Sequence, residues 1–100
     1  MTKFALFAKL EAKAGKEDDL AAFLQQGASM AQDEPETTAW FAVRFGPSTF
    51  AIFDAFEDEA GREAHLNGDI AAALMENAPE LLAEEPNIEK LEVLGDKLPA

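Results

Sequence analysis

Apolar residues recur with period two in four stretches of the chain, and with a period near 3.6 in the segments between them. Over residues 3–12 one face carries Phe4, Leu6, Ala8 and Leu10, and the other Lys3, Ala5, Phe7, Lys9 and Glu11. That alternation predicts a first strand, which Gly15 separates from the next segment. A helix is predicted over residues 16–31. Glu17, Asp18 and Asp19 sit in its first turn, where negative charge suits the helix dipole, and Leu20, Phe23, Leu24, Ala28 and Ala31 form the stripe of a helix packed on a sheet. Residues 37–45 and 49–57 are rich in β-branched and aromatic side chains and read as two strands. Gly46, Pro47 and Ser48 leave room only for a hairpin between them, so they pair antiparallel. Residues 59–66 are helical in pattern and end at Asn67 and Gly68. Asp69 is the expected N-cap of a helix over 70–77, and Pro79 is placed to start a further turn over 79–84. Residues 88–94 form a last strand, and 95–100 a tail.

This order is β-α-β-β-α-β, a ferredoxin-like α+β fold with a four-stranded antiparallel sheet and its helices on one face. One hundred residues make one domain, 1–100. Within it the stretch Thr49–Phe56 departs from simple alternation, being apolar on both faces with Asp54 as the single charged interruption. A sheet that shows one face to water should be polar on that face. Seven of the eight phenylalanines (Phe4, Phe7, Phe41, Phe45, Phe50, Phe53, Phe56) fall in predicted strands, more aromatic surface than one helical layer can hide. The expected cover for the open sheet face is a second copy of the chain, giving a homodimer packed sheet on sheet.

Composition narrows the partners. A net charge of −12 argues against nucleic acid, whose phosphates need Lys and Arg, and against anionic membrane surfaces. No apolar run approaches the ~20 residues of a membrane span. The N-terminal apolar patch is interrupted by Lys9 and Glu11, so a secretory leader is not expected and the cytoplasm is the expected location. With no cysteine and one histidine there is no thiolate chemistry, and no metal site is expected. The acidic runs lie at helix starts and turns, as a solvated surface does. No phosphate-binding glycine loop, dinucleotide fingerprint or serine-nucleophile elbow is present, so no cofactor is expected.

The run F-x-I-F-D-A-F-x-D-E-A-x-R-E-A-H-L over residues 50–66, and the ending P-x-I-x-x-L-x-V-L-x-x-K-L over 86–98, resemble the antibiotic biosynthesis monooxygenase-like family. The resemblance spans essentially the whole chain. It implies a dimeric α+β barrel with a mainly apolar cavity between sheet and helices in each subunit. Some members oxidise quinols or polyphenols with molecular oxygen and neither metal nor flavin. The haem-degrading branch uses an asparagine on the first strand and a tryptophan on the third. Ala8 and Phe56 stand at those positions here, which disfavours haem chemistry. By the same resemblance, His65 matches the histidine on the helix after the third strand, and Phe56 takes the place of a late-strand Trp or Tyr.

These residues define the expected site. His65 is the candidate catalytic group: an imidazole at the mouth of an apolar pocket can remove a phenolic proton near neutral pH, or can simply make a local hydrogen bond. Trp40 and Phe56 are candidate substrate-binding walls, although Trp40 on a strand is more readily read as core or interface packing than as a stacking platform. Arg62, three residues before His65, could steer an anionic substrate or form a surface ion pair. Arg44 is expected to pair with Asp54 across the hairpin. The function this implies is a cofactor-independent monooxygenase for a small quinol- or polyphenol-like aromatic. The alternative is a non-catalytic dimeric module binding a small apolar ligand.

Overall fold

The computed structural model describes residues 2–99. Its elements run β1 (Phe4–Glu11), α1 (Glu17–Ala31), β2 (Thr37–Arg44), β3 (Thr49–Phe56), α2 (Glu59–Leu66), α3 (Asp69–Leu81) and β4 (Asn87–Glu92). The sheet order is β2-β3-β1-β4 and every pairing is antiparallel. This is the ferredoxin-like layout that the periodicity predicts. No helix among the described residues is long and apolar enough to cross a membrane.

Register decides which side chains meet. Leu6 faces Asp54, Ala8 faces Ile52 and Leu10 faces Phe50 across β1 and β3; Trp40 faces Asp54 and Ala42 faces Ile52 across β2 and β3. Directly paired residues share a sheet face, so all of these lie on the helix side. There Leu10, Phe50 and Ile52 pack with Leu20 and Leu24 of α1 and Leu74 and Leu81 of α3 as one core. Burial of an aliphatic or aromatic side chain contributes about 1.5–3 kcal/mol, which makes this cluster the main source of stability. The opposite face carries Phe7, Phe53, Phe41 and Val43, and no helix among the described residues covers it. Phe41 is 55% exposed.

Several boundaries differ from the sequence expectation. The last helix is continuous through Pro79 instead of restarting there. Proline forfeits the bond to the carbonyl four residues back, but in the last turn only one such bond is lost, and the buried Leu81 and Leu82 hold the end in place. Beyond it Leu82 is extended and bridges Ala12, while the Ala83 amide donates to the Glu11 carbonyl, so residues 82–84 strap α3 to the end of β1. Gly68, with extended backbone, is the N-cap of α3, and Asp69 is its first helical residue. The helix α1 begins at Glu17, with Lys16 at the N-cap, and β4 ends at Glu92.

Candidate functional site

The helix α2 opens on Asp58, whose carboxylate accepts a hydrogen bond from the Gly61 amide at 2.7 Å. Such a cap contributes about 0.5–2 kcal/mol and fixes where the turns of an eight-residue helix fall. Two turns on, it sets His65 over the core face of β3. The imidazole is buried, and its ring lies 5.3 Å from that of Phe56, tilted by 44°. Both ring nitrogens meet carboxylates: Nε2 is 2.9 Å from Asp54 Oδ2, and Nδ1 is 2.7 Å from Glu34 Oε1. Glu34 sits in the turn after α1 and accepts a second hydrogen bond from the Thr37 hydroxyl at 2.7 Å.

A carboxylate only accepts hydrogen bonds, so both ring nitrogens must donate, and the arrangement selects the imidazolium. Burial alone lowers the pKa of His65. The hydrogen bonds and negative charges of Asp54, then of Glu34, outweigh it and hold the pKa above the ordinary value of 6.5. Asp54 is 2% exposed, and its Oδ1 is buried with no protein partner.

Asp54 and His65 together wall a cavity of about 40 Å³ between the sheet and α2–α3, lined otherwise by apolar residues including Leu6, Ala8, Ile52, Ile70, Leu74 and Ile88. On its other side His65 borders a surface groove of about 280 Å³ formed by Glu34, Glu36, Gly61, Gly68 and Asp69. The imidazolium is thus the partition between an apolar interior and an acidic exterior. A larger depression of about 480 Å³ lies between the start of β1 and the segment after β4, lined by Thr2, Phe4, Val93 and Leu94. It contains no comparable buried acid–base pair and is not where the chemistry is concentrated.

The other sequence candidates fall elsewhere. Trp40 packs on α1: a Cβ on Gly27 would lie 3.2 Å from its Cη2. It does not line the cavity beside His65. Phe56 is fully buried and backs the imidazole without reaching the cavity lining. Arg62 is buried and lies over the Phe4 ring at 5.1 Å, donating to the Leu91 carbonyl at 3.3 Å, with Glu59 3.5 Å away. The expected surface ion pair is therefore a largely buried packing contact that ties α2 to β1 and β4. Arg44 does not pair with Asp54. It stands opposite Phe50 in register, stacks 4.8 Å over that ring and donates to the Pro47 carbonyl. The hairpin register puts Arg44 four residues from the strand position facing Asp54, out of reach. Sequence spacing points neither to Glu34, 31 positions before His65, nor to a contact between Asp54 and His65.

No family model matches the chain, and no curated protein matches it. Among solved structures, provisionally named antibiotic biosynthesis monooxygenases share the fold. One from Nitrosomonas europaea is 13% identical, with 92% of this chain and 90% of that chain covered and a TM-score of 0.82. One from Caulobacter crescentus is 15% identical, with 94% and 92% covered and a TM-score of 0.80. The protein thus has the antibiotic biosynthesis monooxygenase-like fold. A second Nitrosomonas europaea protein, of unknown function, is 65% identical over 100% of this chain and 97% of that one, with a TM-score of 0.98. The chain belongs to that protein's family.

Proposed function

We propose that the protein is a cofactor-independent monooxygenase acting on a small hydroxylated aromatic, with the His65–Asp54 pair as its acid–base centre. The observation that carries this reading is a buried, charged hydrogen-bonded pair in the wall of an otherwise apolar cavity, with one carboxylate oxygen, Asp54 Oδ1, left without a protein partner. Buried ions are costly, and a cavity wall is where such a cost is tied to function. A phenol or quinol placed there loses its proton, and the resulting anion is electron-rich enough to reduce oxygen. For a quinol the balance is one O2 taken up, one oxygen atom entering the ring to give a hydroxyquinone, and the other leaving as water.

The cavity of about 40 Å³ holds water-sized occupants, whereas a benzene-sized guest needs on the order of 150 Å³. Substrate entry therefore requires the outermost lining side chains, Leu66 and the partly exposed Ile88, to swing aside. In the same proposal the functional unit is a homodimer through the open sheet face, which otherwise leaves Phe41, Val43 and Phe45 to water. The small cavity also favours a second reading, a dimeric module that binds a small apolar ligand without turnover. Oxygen uptake with a panel of quinols and polyphenols separates the two. Stoichiometric uptake, lost in Asp54→Asn, is expected; binding of panel members with no uptake above the spontaneous rate would leave only the binding module.

A further inference from the structure

A site with two candidate bases, an imidazole and a carboxylate, raises the question of which one takes the proton. The answer lies in which atom has room to accept. His65 has no free nitrogen, since Nε2 is engaged by Asp54 and Nδ1 by Glu34, and Glu34 is itself held by Thr37. To act as a base the ring would have to surrender one of two charge-assisted hydrogen bonds, the stronger class of such bonds. Asp54 has one oxygen committed to His65 and one, Oδ1, buried without a partner. A buried acceptor left unsatisfied is rare and costly, and this one belongs to a residue lining the cavity. Among the described residues no other cation reaches Asp54: Arg62 is turned to Phe4, Glu59 and Leu91, and Lys90 to Glu63.

We propose that Asp54, not His65, is the proton acceptor of the cavity, taking the hydroxyl proton of an aromatic ligand on Oδ1, while His65 is a fixed imidazolium that positions it. This rests on the reading of the cavity as a site for hydroxylated aromatics. The ligand O–H bond breaks, an O–H bond forms on Asp54 Oδ1, and the ligand is left as a phenolate. No electron moves in this step. The total charge of the cavity is unchanged, because the carboxylate becomes neutral as the ligand becomes anionic, and the imidazolium then lies beside the new anion. The proton transfer therefore buries no additional net charge, which in an apolar cavity is the costly alternative. The class of ligand is set by the walls: one hydrogen-bond donor for Oδ1, on a flat body otherwise satisfied by Leu6, Ile52 and Leu74.

The test uses the full-length protein with 4-nitrophenol as probe, at a pH where the free probe is mostly protonated. Its phenolate absorbs visibly, and 15N NMR of His65 reads both ring nitrogens. The expected result is phenolate absorbance on binding, with both His65 nitrogens protonated before and after. Asp54→Asn should abolish the phenolate signal and weaken probe binding ~10-fold or more, as expected for a lost hydrogen bond to a charged group. Three results would overturn the proposal: a free protein whose His65 is neutral and gains a proton on binding; phenolate formation undiminished in a folded Asp54→Asn; or no binding of the probe. Should Asp54→Asn not fold, the wild-type NMR titration decides alone. Oxygen uptake is measured separately. Its absence alongside an intact phenolate signal would refute the monooxygenase reading and leave the assignment of Asp54 standing.

Discussion

Removing the imidazole is the perturbation to which this architecture should respond most sharply. In His65→Ala, Asp54, 2% exposed in the wild type, loses the 2.9 Å bond to Oδ2, leaving both carboxylate oxygens without a protein partner. Glu34 is more exposed and keeps the Thr37 hydroxyl, so its loss is minor. An uncompensated buried charge costs about 3–5 kcal/mol. For a domain of this size each kcal/mol shifts Tm by roughly 4–8 °C, so a fall of roughly 12–40 °C is expected. The double variant His65→Ala/Asp54→Leu removes the stranded charge and should recover much of the loss. pH adds a second signature. The folded-state pKa of His65 is raised above the ordinary 6.5, so the stability contributed by its ionisation is fully present below that value. It is lost as pH rises through the folded pKa. The gap between wild type and His65→Ala should thus be widest in mildly acidic buffer and narrow in alkaline buffer. Thermal unfolding at fixed protein concentration, across pH, measures all of this. A loss under ~1 kcal/mol, a double variant no more stable than the single, or a gap that widens with pH would each refute the reasoning.

Three further outcomes are expected from the packing. Wild type should sediment at micromolar concentration with twice the 10.8 kDa chain mass, and Phe41→Glu on the open sheet face should shift it to monomer; a wild-type monomer would contradict the homodimer. Gly27→Leu, forced against Trp40 at a position where even a Cβ lies 3.2 Å away, should cost about 1–3 kcal/mol in urea unfolding, and no loss would contradict that close approach. Asp58→Ala should lose about 0.5–2 kcal/mol, read as a lowered Tm, because it leaves the Gly61 amide unsatisfied; an unchanged Tm would show that the cap does not hold α2.

The fold was legible because its determinants are local. Period-two runs, the short Gly46-Pro47-Ser48 connection and the charge-led start of α1 each sit within a few residues of what they specify. Boundaries were missed where a distant contact overrides a local signal: the straps from Ala12 and Glu11 to Leu82 and Ala83 define the end of α3, not Pro79. The site was half legible. His65 stood out as the lone imidazole, but its partners come from 11 and 31 positions away, and sequence spacing carries no information on that pairing. One signal was available. Asp54 shares its strand parity with the large residues Phe50, Ile52 and Phe56, so it lies on their face, where a buried carboxylate needs a buried cation. Arg44 satisfied the charge argument but not the register, whereas His65 on the overlying helix satisfies both.

The free oxygen of Asp54 is what a hydroxylated aromatic should meet in the cavity, and a crystal structure of the protein with a bound small quinol or polyphenol tests this most directly. The ligand hydroxyl oxygen is expected about 2.5–3.0 Å from Asp54 Oδ1, with the ring between Leu6, Ile52 and Leu74 and both His65 bonds intact. A ligand seated instead on the open sheet face or in the depression beside β1, with only water at Asp54, would contradict it.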